Sequence, residues 1–360
     1  MKRNGKSKSG RQRWYCRSCQ ASYTHKIDTA AKLLAEFLSW LLSRRPQKDM
    51  PGAGRNFRRK TAQFWKVWPL APVIDEIYRV IYVDGIYLDR RTVVLIAASD
   101  KYVLGWYLAR SENAQAYAAL LSRIAAPEMV VTDGGSGFRK AQKRVWPDTR
   151  VQRCLFHVFC QVKRYTTSRP KLPAGKELYQ LAKELLHIAD INSAIAWLKG
   201  YNVWCLKWKE FLKETTCIDR HEILTHQRLI RARNSLNALI RQKTLFTYLD
   251  PALTEAGQLP STNNAIEGGV NAQLRALLRD HRGLRLTRRI KAVFWWCYLH
   301  TEYPMTAAQI LKVMPTDDDI DSLYRSVQQR QEWYRSIPSW GDAIVWEEFH
   351  LPGPRRLEWD

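Results

Sequence analysis

The spacing of apolar residues changes several times along this chain, and each change predicts a new element. Over residues 29–42, Leu33, Leu34, Phe37, Leu38, Leu41 and Leu42 recur at the interval that lines one face of a helix. Pro46, Pro51, Gly52 and Gly54 break that pattern. Residues 58–68 restart it as a second helix with a basic opening, Arg58-Arg59-Lys60. Pro69 and Pro72 predict a boundary near residue 72. Beyond it come short, solid apolar runs at 80–88, 92–98, 102–109, 129–133 and 151–158. Runs of this length, rich in β-branched and aromatic residues, predict strands buried on both faces. Helical spacing returns between them at 113–124, behind a Ser-Glu-Asn cap, and at 137–145.

Residues 159–258 read as helical almost throughout, with Tyr179, Leu181, Leu185, Ile188, Trp197 and Leu198 among the core positions. Trp197, Trp204 and Trp208 share a helical stripe, which predicts core packing over the alternative of stacking on an unpaired base. After Pro260, Ser261-Thr262-Asn263-Asn264 is a helix-start signal leading into Ala265-Ile266-Glu267-Gly268-Gly269. Residues 293–299 read as a buried helix end, and 317–334 as the one helix of a polar tail. The predicted fold is α/β, a mixed sheet with an all-helical insertion and a small N-terminal helical region. Its segments are a basic arm at 1–26, a helix-turn-helix-like region at 27–72, an α/β core at 79–158, the insertion at 159–258, a further core helix at 261–300 and a tail at 301–360.

Charge narrows the partner. The 360 residues carry a formal +24, and residues 1–68 hold seventeen Lys or Arg against three acids, a net of +14. Residues 315–360 are net −5. A basic end of this density predicts a polyanionic partner, double-stranded DNA, docked at the N-terminal side. The helix-turn-helix reading puts Arg58, Arg59, Lys60 and Gln63 near that DNA, with Arg13 on the arm. The long apolar segments argue against a ribosomal protein. No run of ~20 apolar residues predicts a membrane span, and no apolar stretch follows the basic start as a secretory signal would require. Seven cysteines, an odd number, fit a reducing cytoplasm.

An Asp inside an apolar strand is costly unless a metal, a cation or hydrogen bonds replace its lost water. Asp84 interrupts the first run as Val83-Asp84-Gly85, and Asp133 closes the fourth as Thr132-Asp133-Gly134. Two strands that each end in Asp-Gly predict two carboxylates at one sheet edge, as ligands of a magnesium site acting on nucleic acid. The order β-β-β-α-β-α-β is that of the ribonuclease H sheet, whose first and fourth strands are neighbours. Two-metal phosphodiester chemistry needs carboxylates around ions ~3.5–4 Å apart. Glu267, set among asparagines and glycines near a helix start, is the expected third ligand. Gly268 and Gly269 allow a close backbone approach, and Arg275 and Arg279, one and two turns on, would hold phosphates.

These motifs resemble a family. Val83-Asp84-Gly85, Thr132-Asp133-Gly134 and Asn264-Ala265-Ile266-Glu267 look like the acidic triad of bacterial insertion-sequence transposases of the Mutator type, and Cys154-Leu155-Phe156-His157 looks like the family's C-x-x-H pair. The resemblance covers about residues 79–300. It implies a ribonuclease H core interrupted by helices before the catalytic Glu, and Asp84, Asp133 and Glu267 holding two Mg²⁺ ions, with Mn²⁺ as the substitute. It also implies cleavage at element ends, joining of the freed 3′-hydroxyl to target DNA, and a homo-oligomer that holds both ends. Two other readings stay open: an inactive DNA-binding regulator derived from such an enzyme, or a structure-specific nuclease of the same fold.

Cys16-x-x-Cys19 resembles the later half of a zinc ribbon found in some relatives. A closed zinc site needs four ligands; His25 offers a third, and no second C-x-x-C lies nearby. Cys154 and His157, placed in the strand at 151–158, would point to opposite faces, which predicts a structural role beside the site. His221-Glu222-Ile223-Leu224-Thr225-His226 has one residue too many for a zinc-binding helix. Asp317, Asp319 and Asp321 lack the glycine and glutamate of a calcium loop.

Overall fold

A computed structural model describes residues 1–8, 10, 12–24, 29–218 and 221–333. His25, the third candidate zinc ligand, lies outside the described residues, as does the tail from residue 334. The chain divides into two units, Met1–Val67 with Met305–Asp317, and Trp68–Pro304 with the residues that follow Asp317.

In the first unit the expected arm is a three-stranded antiparallel sheet, β1 (Lys2–Lys6), β2 (Gln12–Tyr15) and β3 (Ser22–Thr24), in that order. All of β1 is exposed, so no apolar alternation announced it. The following helix α1 (Ala30–Leu42) matches its periodicity, with Leu34, Phe37, Leu38 and Leu41 buried. The second helix departs from expectation. It opens earlier, as α2 (Arg55–Thr61), and closes as a 3₁₀ turn over Ala62–Lys66. Gly54 precedes it at φ 76°, where a Cβ would collide with the Gln47 carbonyl; only glycine supplies that turn. Aromatic edges join the two helices, Phe37 to Trp65 at 5.0 Å and Trp40 to Phe57 at 5.4 Å between ring centroids.

The second unit is built on β4 (Val80–Asp89), β5 (Thr92–Ala98), β6 (Val103–Ala109), α3 (Ala114–Leu121), β7 (Met129–Thr132), α4 (Ser136–Val145) and β8 (Arg150–Arg153). The sheet order is β6-β5-β4-β7-β8, with β4, β5 and β6 antiparallel and β4, β7 and β8 parallel. This mixed five-stranded sheet is consistent with a ribonuclease H-like transposase fold. Every residue of β5 is buried, as expected of a strand covered on both faces. Helices α3 and α4 cover one face through Tyr117 and Phe138, edge to face at 5.4 Å.

The predicted strand at 151–158 is not observed beyond its first residues. It ends at Arg153, and Leu155–Thr166 is helix α5. The apolar residues there serve a buried helix face, since Leu155, Val158 and Val162 are all buried at helical spacing; a short apolar run does not distinguish the two states. The insertion continues as α6 (Pro173–Glu184) and α7 (Ile191–Lys207), then β9 (Thr215–Ile218) and β10 (His221–Leu224), then α8 (Gln227–Arg241) and α9 (Pro251–Thr254). It is therefore not wholly helical: β9 and β10 pair antiparallel, and Thr215, Thr216 and Ile223 are β-branched residues that favour a strand. The tryptophan stripe is core at Trp197 and Trp204, while Trp208 follows the end of α7 half-buried. Trp197 and Trp204 are buried, and Trp204 Nε1 donates to the Ala174 carbonyl at 3.0 Å.

The chain returns to the sheet through a π-helical turn over Ala265–Asn271, which runs into α10 (Ala272–Asp280) and then α11 (Leu286–Leu299). Phe294 of α11 packs on Trp106 of β6 at 5.9 Å. Helix α12 (Ala307–Val313) belongs to the first unit and packs on α1, and α13 spans Asp317–Trp333. No helix among the described residues is long and apolar enough to cross a membrane.

Candidate active site

Parallel pairing sets the first two carboxylates side by side. Strands β4 and β7 pair from Val80 with Met129 to Val83 with Thr132. There β7 stops, while β4 runs on to Asp89 alongside β5. Asp84 therefore lies mid-strand and not at a strand end, which corrects the expectation of two terminal Asp-Gly pairs. Asp84 is nevertheless the first β4 residue past the last β7 partner, and Asp133 is the first residue past β7.

Each oxygen of Asp84 is engaged. The Gly85 N–H donates to Oδ1 at 2.9 Å, and the Asn271 amide donates to Oδ2 at 2.7 Å. Burial pushes the carboxyl up to about 7, against the lowering effect of the Gly85 N–H; the negative charges of Asp133, Glu267 and Glu112 raise it further. Glu112, which the sequence reading did not single out, stands just before α3. A Cβ on Gly85 would collide with its carboxylate. Burial and then Asp133 hold the Glu112 carboxyl above its ordinary range. Asp84 thus feels the charges of three other acids, and Glu112 that of Asp133.

Glu267 and Asn271 lie four residues apart on the π-helical turn, the segment that packs against β4. Such turns widen the backbone and recur at functional sites. The turn aims Asn271 at Asp84, whereas the Glu267 carboxylate lies 3.2 Å from His157 Nδ1. Those two atoms are buried yet do not meet hydrogen-bond geometry. Cys154 caps α5 and His157 sits one turn in, so the two share the opening of one helix and do not lie on opposite faces of a strand. The Asn263 N–H donates to Cys154 Sγ at 3.2 Å. The neighbouring Cys154 thiol leads the effects that hold the His157 imidazole above its ordinary range. Among the described residues, Cys154, His157 and Glu267 are the trio of metal-ligating side chains whose donor atoms all fall within 4.8 Å of one another.

Arg153 supplies the positive charge next to Asp133. Burial pushes its pKa down while Asp133 pushes it up, and its buried Nε and Nη1 have no hydrogen-bond partner. Gly134, at φ 83°, makes room for it: a Cβ there would collide with the guanidinium. Arg153 lines a cavity of about 460 Å³ with Gly134, Arg139, Lys140 and Lys143. The position of Arg153, one residue before Cys154, was the available sequence signal; Asn271 was visible only as a polar residue one turn past Glu267.

The remaining sequence candidates stand on other elements. Arg275 and Arg279 are exposed on α10. Arg13, Arg58, Arg59, Lys60 and Gln63 are exposed in the first unit. Cys16 and Cys19 flank the turn between β2 and β3, and hydrogen bonds from Cys19 hold the Cys16 thiol below its usual value.

Residues 63–239 match the family described as Transposase, Mutator family. The transposase for insertion sequence element IS905 of Lactococcus lactis subsp. lactis is 26% identical over 153 residues, 38% of each chain. A probable transposase for an insertion sequence element of Corynebacterium diphtheriae is 26% identical over 165 residues, 39% of this chain and 48% of the relative. The transposase for insertion sequence element IS6120 of Mycolicibacterium smegmatis is 30% identical over 139 residues, 34% of this chain and 42% of the relative. The matched stretches thus span less than half of each relative's length. Glu267 falls beyond the family match, which includes Asp84, Asp133, Cys154 and His157. The likeness to the Mutator family of transposases thus runs through residues 63–239 of this chain.

Proposed function

We propose that this chain is a Mg²⁺-dependent DNA transposase that cleaves the ends of an insertion element and joins the freed 3′-hydroxyl to target DNA. The observation that carries this reading is the gathering of carboxylates around Asp84, whose burial and mutual repulsion hold its carboxyl up to about 7. Like charges gathered in a buried site are tolerable when a cation neutralises them.

The donor chemistry of the three carboxylates suits such an ion. Asp84, Asp133 and Glu267 offer only oxygen donors, the set that suits magnesium, and the buried Glu267 Oε1 has no hydrogen-bond partner. When bound, divalent magnesium supplies Lewis acidity and a more acidic coordinated water. The chain's own groups do the rest. Asn271 orients Asp84 through its 2.7 Å hydrogen bond. Arg153, with Arg139 and Lys143 at the same cavity, would seat a phosphate next to Asp133. Arg275 and Arg279, exposed on the helix that follows Glu267, would hold further phosphates. Water would attack first and a DNA 3′-hydroxyl second, with no covalent protein intermediate.

Residues 27–72 are the proposed helix-turn-helix that reads element ends, with Arg58, Arg59, Lys60 and Gln63 exposed for contact. The sheet at 1–24 is a further basic surface, its Cys16 and Cys19 a partial zinc site. A homo-oligomer that holds two DNA ends, working in the cytoplasm on double-stranded DNA, completes the reading.

The test is cleavage and joining of end-sequence DNA in Mg²⁺, comparing wild type with Asp133→Asn. The reading predicts both steps in wild type and neither in the variant. Binding without either step in wild type supports the regulator instead, and cutting without joining supports the nuclease.

A further inference from the structure

The trio at the mouth of α5 is a different chemistry from the carboxylates beside it. A thiol, an imidazole and a carboxylate form the donor set of a borderline metal, not of magnesium. We propose that Cys154, His157 and Glu267 form a second cation site, for a transition-metal ion of the Zn²⁺ class, and that this site competes with the Asp84–Asp133 cluster for Glu267. The competition rests on Glu267 being the third carboxylate of the proposed function; the binding does not.

Three observations carry it. The donor atoms all lie within 4.8 Å of one another. His157 Nδ1 and Glu267 Oε1 are 3.2 Å apart, close to the edge of a tetrahedron about 3.3 Å long, the value for zinc bonds of ~2.0 Å to nitrogen and oxygen. Both atoms are buried and, though close enough for an ion pair, make no hydrogen bond to each other or to any other protein group, a condition that a shared ion removes. The surroundings also suit a thiolate ligand. The Asn263 N–H donates to Cys154 Sγ at 3.2 Å, a supporting bond of the kind that tunes metal-bound sulfur.

Three protein ligands leave a fourth position for water, so the site is open. Its effect follows from the shared side chain. Glu267 held by the thiol and imidazole pair is not available to Asp84 and Asp133, so transition-metal occupancy opposes Mg²⁺ binding at the carboxylates.

The experiment uses the full chain with Cys16→Ser and Cys19→Ser, which removes the knuckle as a competing thiol site, and Co²⁺ alone as the spectroscopic probe. The expected result is one Co²⁺ per chain with a thiolate-to-cobalt charge-transfer band, displaced by Zn²⁺. Cys154→Ser abolishes the band, His157→Ala weakens binding at least about tenfold, and Glu267→Gln, which keeps the side-chain volume, also weakens it. A band that persists unchanged in Cys154→Ser or Glu267→Gln overturns the site. Far-ultraviolet circular dichroism on each variant separates lost binding from lost fold. Mg²⁺ is expected to lower the apparent Co²⁺ affinity, and Asp84→Asn with Asp133→Asn to abolish that competition. An intact band with no Mg²⁺ effect overturns the sharing of Glu267. Because the band is read without DNA, absent strand joining with an intact band counts against the transposase reading alone.

Discussion

The Asn271 amide donates to Asp84 Oδ2 at 2.7 Å, a bond between residues 187 positions apart. It ties the π-helical turn that carries Glu267 to the central strand that carries Asp84. With the Gly85 N–H on Oδ1, it fixes the carboxylate in one orientation. Removing it by Asn271→Ala is expected to slow strand joining roughly 10- to 100-fold, the usual cost of losing a group that orients a ligand. Binding to element-end DNA should be unchanged. Joining rates within a factor of about two of wild type would mean the bond positions nothing.

The carboxylate cluster makes stability depend on pH in a defined direction. The Asp84 carboxyl sits at about 7 in the folded chain against a reference of 3.8, so folding favours its protonated form. That contribution is present below the reference value and is lost as pH rises through the folded one. In chelator, Tm should therefore fall between about pH 5 and about pH 8, with Asp84→Asn flattening the decline. Added Mg²⁺ should raise Tm more at the alkaline end, where the charges it neutralises are present. A Tm that rises with pH in chelator contradicts the direction.

Two adjacent glycines offer a paired test of how Arg153 is seated. Gly134 has φ 83° and faces the guanidinium, whereas Gly135 has φ −55° and open space where a Cβ would be. Gly134→Ala should cost about 1–3 kcal/mol from the strained backbone alone, and displace Arg153 as well. Gly135→Ala should stay within about 0.5 kcal/mol. Urea unfolding of the two variants gives the comparison, and equal midpoints would show that the left-handed turn is not needed.

Arg153 also predicts a salt dependence. If its unpaired nitrogens meet a phosphate, Arg153→Met lowers DNA affinity and reduces the slope of log affinity against log salt by about 0.9. Combining it with Arg139→Ala and Lys143→Ala should reduce the slope further, by about that amount for each phosphate left without its cation. Fluorescence anisotropy across a salt series measures this. Weaker binding with an unaltered slope would make Arg153 a structural support for Asp133.

Much of the sheet was legible because a strand buried on both faces leaves a solid apolar run, as β4, β5 and β7 do. At 151–158 a solid run serves one buried face of α5 after a short strand, and periodicity does not separate the two. Strands β1 and β10 are exposed throughout and carry little periodic signal. The tryptophan stripe of α7 was legible because 3.6-residue spacing and bulk both survive in one dimension.

The sequence by itself singled out the candidate carboxylates, Asp84 and Asp133 in apolar runs and Glu267 behind a helix start, and placed Cys154 and His157 beside them in a structural role. It also determined the order of strands from which β4 and β7 become neighbours, because local periodicity fixes element type and short connections limit topology. Tertiary structure alone decided that Asp84 sits mid-strand, that Asn271 and Glu112 join it, and that Glu267 faces His157. Those are pairings between segments as many as 187 residues apart. They depend on where β7 stops, on the widened turn before α10 and on the helix that begins at Leu155, and none of these leaves a periodic mark in the chain.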